Sequence, residues 1–284
     1  MKHVECGARF SLALGLLLLT ACETTPPLHI QPLNVDGRDG GGAPPSYASL
    51  MRVGAAAHAG GNLSMAVGVY RRAGELEPEE PAPFVALGNT LLDMGDVNEA
   101  IRAYNSALAR EDRDPEALRG LAKAYLKTGK PELANQPLSV AYQDAPDDPK
   151  ILLLIGVAND YGGNHAEAQR FYRHGLEVAP NNQALTCDLA LSLAMTGDYN
   201  QAISVLRPLA SSPTASPGDR QTLALIYGLQ GNGPEAERLS RMDLDPASVE
   251  HNLAFYDTLR RLEPEARNRA ILSVSSELPA ASHS

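Results

Sequence analysis

Residues 87–100, LGNTLLDMGDVNEA, decide the fold because they place three small residues at spacings that recur along the chain. Gly88 stands seven residues before Gly95, and Ala100 stands five residues after it. The central glycine recurs at an interval of 34 residues, as Gly61, Gly95, Gly129, Gly163, Gly197 and Gly231. Every copy keeps the alanine after the glycine, and every copy has a glycine or an alanine at the earlier position.

A 34-residue period with small residues at a fixed phase is typical of the tetratricopeptide repeat, a helix–turn–helix unit. The six copies follow one another without insertion or deletion, so the sequence predicts one all-α superhelical solenoid. Each unit begins fourteen residues before its glycine. The predicted units are 47–80, 81–114, 115–148, 149–182, 183–216 and 217–250.

The small residues have separate physical roles within a unit. Those at positions 8 and 20 are expected where the two helices cross, because only small side chains let the axes approach to about 8 Å. The glycine at position 15 permits a tight turn with positive φ. Tyrosines such as Tyr70, Tyr104 and Tyr172, at position 24, are expected to fill the gaps between units.

The repeat pattern weakens in the sixth unit. Position 4 is Arg220 and position 27 is Asp243, where other units mostly have apolar or small residues. Terminal units of solenoids are expected to be atypical. Two further helices, near 246–262 and 264–274, should pack onto this unit, so 251–275 is assigned to C-terminal capping helices and 276–284 to a disordered tail.

The N-terminus has the pattern of an export signal over residues 1–21. Lys2 and Arg9 precede an apolar run over residues 10–20 that is too short to span a bilayer. The run ends in LTAC at Cys22, which resembles the lipobox of bacterial lipoproteins. This resemblance implies a lipid anchor on Cys22; the alternative is an ordinary cleaved signal with an incidental cysteine.

The next residue is Glu23 rather than aspartate, which favours the periplasmic face of the outer membrane of a Gram-negative bacterium. Residues 22–46 are rich in proline and glycine and predict a flexible tether.

Charge and motifs argue against several functional classes. The formal net charge of −10 argues against non-specific nucleic-acid binding. Metal-ligand spacings, phosphate-binding loops and nucleophile elbows are missing from the sequence, so we expect no enzyme activity, cofactor, metal or small-molecule substrate. Asp160, His165 and Glu167 lie at the predicted turn of unit four and are interpreted as ordinary polar turn residues.

The concave groove is therefore the predicted functional site. In this repeat family its wall is built from positions 2, 5, 9 and 12 of each first helix. The predicted partner-binding residues are a basic cluster with a nearby amide and an apolar floor: Asn89, Arg119, Lys123, Lys150, Leu153, Val157 and Leu191. The cations could pair with a carboxylate, an acidic segment or a C-terminus, and the floor could receive a peptide. Alternatively, these residues only pack against neighbouring helices and their charges are solvated.

The C-terminal half carries a narrower resemblance. Its residues are LALSLAMTGDYNQAISVLRPLA at 189–210, RQTLALIYGLQG at 220–231 and NLAFYDTLR at 252–260. These segments resemble the TadD family, repeat lipoproteins of the tight-adherence (Flp pilus) assembly system. The resemblance implies a non-enzymatic scaffold for pilus assembly and secretion, a pilotin-like helper of the outer-membrane secretin with protein partners. The alternative is a general envelope adaptor, either a cell-wall enzyme scaffold or a partner in outer-membrane protein assembly.

Overall fold

The computed structural model describes residues 44–277, with side chains up to Ser273. Within that range the chain forms fourteen α-helices and no strand. The predicted signal at 1–21, Cys22, most of the tether and residues 278–284 lie outside the described residues.

The first helices of the six units are α1 (Tyr47–Ala59), α3 (Ala82–Met94), α5 (Pro115–Lys127), α7 (Pro149–Tyr161), α9 (Gln183–Met195) and α11 (Pro217–Gln230). The second helices are α2 (Leu63–Leu76), α4 (Val97–Leu108), α6 (Pro131–Asp144), α8 (His165–Val178), α10 (Tyr199–Ala210) and α12 (Gly233–Ser240). Two helices follow, α13 (Pro246–Arg261) and α14 (Pro264–Glu277).

The helices stack in chain order as a tetratricopeptide-repeat solenoid, which confirms the predicted fold class. Each helix packs against the next one along the chain. The first helices also pack against one another from unit to unit, α1 on α3 and onward to α9 on α11. This second set of contacts makes the six first helices one continuous wall, on which the candidate site lies.

The glycine ladder forms the turns between the paired helices. All six ladder glycines are left-handed, with φ between 69° and 92°, and no other described residue has a positive φ. At Gly95 the turn is closed by the Asp96 N–H, which donates to the Leu91 carbonyl at 2.9 Å. A side chain at these glycines would be strained whatever space surrounds it, so the ladder sets the helix–turn–helix geometry.

In units one, two and four, a tyrosine packs against a glycine where the two helices of the unit cross. The alanine at position 20 is fully buried in all six units. The tyrosine at position 24 of the second helix packs against the glycine at position 8 of the first helix. A Cβ on Gly156 would lie 2.2 Å from Cε1 of Tyr172, and one on Gly88 would lie 2.6 Å from Cε1 of Tyr104. These tyrosines therefore fill a space within their own unit. Tyr104 also lies against Gly120 of the next unit, as expected for a gap between units.

The sixth unit is shorter than its predicted block of 217–250. Its second helix, α12, has only eight residues, and α13 already begins at Pro246 because Asp245 caps it by accepting from the Ala247 and Ser248 N–H groups. The start of α13 agrees with the helix expected near 246–262, so the boundary drawn at 250/251 lies inside that helix. The predicted tail boundary is wrong, because α14 continues to Glu277.

The two residues that break the repeat pattern pair with each other. Arg220 Nε donates to Asp243 Oδ2 at 2.8 Å, and both side chains are mostly shielded from solvent. The Arg220 guanidinium lowers the pKa of Asp243. A charged pair thus replaces the apolar and small residues that occupy these positions in most other units. Tyr256 of α13 packs against Gly228 and extends the solenoid beyond this pair.

Candidate functional site

One concave groove of about 760 Å³ is lined by residues from all six first helices. It begins at the C-terminal end of α1, at His58, and passes Leu92 and Asp93 near the end of α3. At the far end it meets the N-terminal ends of α9 and α11, at Gln183 and Gly218. The groove therefore crosses the wall of first helices diagonally.

Six of the seven predicted groove residues line it: Asn89, Arg119, Lys123, Lys150, Leu153 and Leu191. Val157 does not. It packs, partly buried, against the hydrophobic clusters of the fourth and neighbouring units. The prediction placed position 9 of each first helix in the groove, which holds for Asn89, Lys123 and Leu191; in α7 the groove is instead lined by Lys150, Leu153 and Leu154.

The predicted basic cluster contains two available cations rather than three. Arg119 is already engaged, since its Nη1 donates to Asp148 Oδ2 at 3.2 Å and Glu116 lies 3.7 Å away. Lys123 and Lys150 are exposed, and no carboxylate in residues 44–277 lies within ion-pair distance of either. Both ammonium groups can therefore donate to an incoming acceptor.

Asn89 is oriented beside the lysines. Its Oδ1 accepts a hydrogen bond from the Tyr104 hydroxyl at 2.7 Å, which leaves the amide N–H groups available to a ligand. Leu153 and Leu191 supply apolar surface further along the same groove. The site thus combines charged donors, one fixed amide and an apolar floor.

The opposite end of the groove is acidic, which the sequence analysis missed. Asp219 accepts from Gln183 Nε2 at 2.9 Å and from the Ser216 N–H at 2.7 Å within the N-terminal cap of α11. Burial and the adjacent Asp219 raise the pKa of the Cys187 thiol, which keeps it protonated and unreactive. The sequence does contain a sign of this acidic end. At position 6 of the repeat, unit five has Asp188, whereas unit three has a glycine and unit four has a leucine.

Asp188 has an unusual environment within the groove. Its carboxyl is partly buried, and the described residues give it no hydrogen-bond partner. Burial, followed by the negative charge of Asp160, raises its pKa to about 7. The raised pKa extends to higher pH the range in which the group is a neutral acid that can donate a hydrogen bond.

We expect Asp188→Asn to stabilise the protein at pH 8 by about 1–3 kcal/mol and to have little effect at pH 4. The folded-state pKa lies above the unfolded value of about 4, so the wild-type protein loses stability as pH rises from about 4 to about 7. The amide removes that loss. Urea unfolding at both pH values measures it, with the exposed Asp112→Asn as control. An equal effect of Asp188→Asn at both pH values would contradict the assignment.

Asp160 and His165 lie outside the groove in a buried polar network. Asp160 is 3 % exposed and accepts from His165 Nδ1 at 2.7 Å, Tyr172 Oη at 3.0 Å and Ser192 Oγ at 2.8 Å. Glu167 is not part of the network and pairs with Arg170 at the surface. The network joins units four and five, so Asp160 and His165 are not the ordinary polar turn residues that the sequence suggested.

In residues 44–277 no three His, Cys, Asp or Glu side chains are grouped so that they could hold a metal ion. No helix in that part of the chain is both long and apolar enough to cross a bilayer.

Comparisons with known proteins agree with this architecture. Two sequence profiles of the tetratricopeptide repeat match residues 85–149 and 149–182. The chain is 25 % identical over 205 residues to cellulose synthase 1 operon protein C of Komagataeibacter xylinus, covering 70 % of this chain and 14 % of that protein. It is 35 % identical over 100 residues to uncharacterized protein y4yS of Sinorhizobium fredii, covering 35 % and 55 %. The chain therefore spans less than two thirds of either relative.

Solved structures show the same fold. A tetratricopeptide repeat protein from Parabacteroides merdae superposes with a TM-score of 0.63 at 17 % identity, covering 74 % of this chain and 84 % of that one. Pseudomonas aeruginosa pilF superposes with a TM-score of 0.56 at 19 % identity, covering 80 % and 97 %. At these identities the likeness concerns the fold alone.

Proposed function

Since the chain is a tetratricopeptide-repeat protein, a class that holds other proteins, we propose that its concave groove binds a segment of a partner protein during Flp/Tad-type pilus assembly. One observation carries the binding site: a continuous groove across six units offers two uncompensated lysines above an apolar floor. The lysines pair with no described carboxylate, whereas Leu153 and Leu191 pack with the hydrophobic cluster of the C-terminal units and also line the groove. A groove of this kind suits a peptide segment better than a small substrate.

The chemistry of the groove indicates the kind of segment. Lys123 and Lys150 would donate charge-assisted hydrogen bonds to carboxylates or to a chain terminus. Leu153 and Leu191 would bury apolar side chains from the same segment, at about 25 cal/mol for each Å² removed from water. The preferred ligand is therefore an acidic segment with apolar residues spaced along it.

The cellular role rests on the sequence of the C-terminal half and the N-terminus. Residues 220–260 resemble the TadD family, and residues 19–22 resemble a lipobox, so we place the protein on the periplasmic face of the outer membrane, anchored through Cys22. There it would act as a pilotin-like helper of the pilus secretin. The alternative is a general envelope adaptor, in keeping with partial similarity to cellulose synthase operon protein C and to the cytochrome c-type biogenesis protein CycH of Rhizobium meliloti.

The charge-reversed groove tests this role in cells. We expect Lys123→Glu combined with Lys150→Glu to reduce secretin multimers and surface pili about tenfold or more, because two favourable ion pairs become repulsive. The control, Arg71→Glu with Lys130→Glu, makes the same charge change at exposed positions that do not line the groove. Pili and multimers that persist in a complete deletion strain would contradict the pilus role.

The anchor has its own test. Cys22→Ser should leave the protein soluble in the periplasm, because each acyl chain on the cysteine contributes about 0.8 kcal/mol per buried CH₂ to membrane binding. Fractionation after a high-salt wash measures this. A Cys22→Ser protein that stays in the membrane pellet would show that the cysteine is not the anchor.

A further inference from the structure

Uncompensated charge of both signs lies in the groove. Lys123 of α5 and Lys150 of α7 are exposed, and residues 44–277 hold no carboxylate within ion-pair distance of either. Asp188 of α9, the next first helix along the wall, lines the same groove. In that part of the chain, no cation lies within ion-pair distance of its carboxyl. The groove therefore offers a ligand two positive groups and one acidic group on successive first helices.

The acidic group that remains for a ligand is Asp188 rather than Asp219. The Asp219 carboxylate accepts from Gln183 Nε2 at 2.9 Å and from the Ser216 N–H at 2.7 Å. The second of these bonds belongs to the capping box that starts α11. Asp219 thus has a structural role, whereas the described residues give the Asp188 carboxyl no hydrogen bond.

The donors of the neighbouring network serve another carboxylate. Asp160 accepts from His165 Nδ1, Tyr172 Oη and Ser192 Oγ, so all three donors are already used. Burial, followed by the charge of Asp160, raises the pKa of Asp188. This direction is expected for a carboxyl whose ionised form is stabilised by no described donor or cation. Because polar groups shielded from water usually have a hydrogen-bond partner, Asp188 lacks one that a ligand can supply.

Packing of the first helices does not require a carboxyl at this position. The equivalent residues are Gly120 in unit three and Leu154 in unit four. In the free protein we expect Asp188 to cost stability above its pKa, as the Asp188→Asn prediction states. A side chain that lowers stability and lines a binding groove is typical of a functional residue.

We propose that Asp188 receives a lysine or arginine side chain of the bound segment, so that the groove selects a segment with both an acidic and a basic residue. The inference rests on the proposed function and adds a second charged contact to it. Lys123 and Lys150 hold the acidic residue of the segment, and Asp188 forms a charge-assisted pair with the basic one. Leu153, on the groove floor, contacts apolar residues of the same segment.

The spacing of the helices sets the spacing of the two charges in the segment. α5 packs against α7, and α7 packs against α9. The axes of packed helices lie about 8–10 Å apart, and an extended chain advances about 3.3 Å per residue. One helix spacing separates Lys150 from Asp188, and two separate Lys123 from it. The basic residue should therefore lie about three to six residues from the acidic one.

Selection from a library of random peptides tests the proposal, with the full mature chain as the target at pH 8, above the Asp188 pKa of about 7. Peptides selected by the parent should be enriched in an acidic residue paired with lysine or arginine at the stated spacing. Peptides selected by Asp188→Asn should keep the acidic residue and lose the basic one. Asp112→Asn, changed at an exposed position outside the groove, should select like the parent.

A double-mutant cycle then measures the contact itself. The tightest peptide selected by the parent is synthesised with its basic residue and with glutamine in that place, and Kd is measured by fluorescence polarisation. We expect glutamine to weaken binding to the parent about tenfold and binding to Asp188→Asn less than about twofold. Because the amide has the shape of the carboxyl and should stabilise the fold at this pH, misfolding would not explain a loss.

The outcomes separate this inference from the proposed function. Selected peptides that are acidic but not enriched in lysine or arginine would overturn the role of Asp188 and leave the groove as a peptide site. Equal losses in the parent and in Asp188→Asn would do the same. Selected peptides that bind the variant with both Lys123→Glu and Lys150→Glu as tightly as the parent, or a library without binders, would contradict the proposed function as well.

Discussion

Asp160→Ala should destabilise the fold by about 3–5 kcal/mol, a large effect for one side chain. Asp160 is 3 % exposed and accepts from His165, Tyr172 and Ser192. Alanine would leave all three donors buried without an acceptor, and each such donor costs about 1–3 kcal/mol. Chemical denaturation monitored by circular dichroism measures the change.

The protein contains a matched control for this variant. Asp147 also pairs with a histidine, with Oδ1 lying 3.0 Å from His174 Nε2, but it is 70 % exposed. Asp147→Ala should therefore cost less than about 1 kcal/mol. Similar losses for the two variants would mean that the buried network contributes no more than a surface pair.

Gly156→Ala should cost about 2–3 kcal/mol although it adds only one methyl group. A Cβ there would lie 2.2 Å from Cε1 of Tyr172. Tyr172 is 1 % exposed, and its hydroxyl donates to Asp160, so the ring cannot move aside without losing that bond. The alanine must therefore push α7 and α8 apart. Thermal and urea unfolding measure the loss.

Gly68→Ala is the control with the opposite sign. Gly68 lies inside α2, exposed, and its Cβ would meet nothing within 4 Å. Alanine favours helix over glycine by about 0.5–1 kcal/mol, so this variant should be more stable than the parent. Equal effects of the two changes would show that helix propensity, and not the tyrosine contact, determines the outcome at Gly156.

The fold was predictable because its determinants are local. A left-handed glycine every 34 residues fixes each turn, and the small residues beside it fix each crossing, so the register follows from counting. Counting is less informative beyond the sixth unit. The start of α13 near residue 246 was expected, but the packing of α14 against α9 of the fifth unit was not, because no repeat residue marks it.

The groove was predictable in its position on the first helices but not in its path. Position 9 lines it in α3, α5 and α9 but not in α7, so Val157 was assigned to the groove although it packs, partly buried, against two hydrophobic clusters. Asp188 was missed because its raised pKa depends first on burial and then on the charge of Asp160 in the preceding unit, and both depend on the packing of the two units.

The most direct test of the groove uses a photo-crosslinking amino acid at Leu153, on the groove floor, in living cells. We predict an adduct with an envelope protein, identified as the secretin by mass spectrometry and lost when Lys123→Glu and Lys150→Glu are added. The same probe at Arg71, outside the groove, should give no such adduct. Adducts that form equally at Arg71, or that survive the two charge reversals, would contradict the central claim that this groove holds the partner.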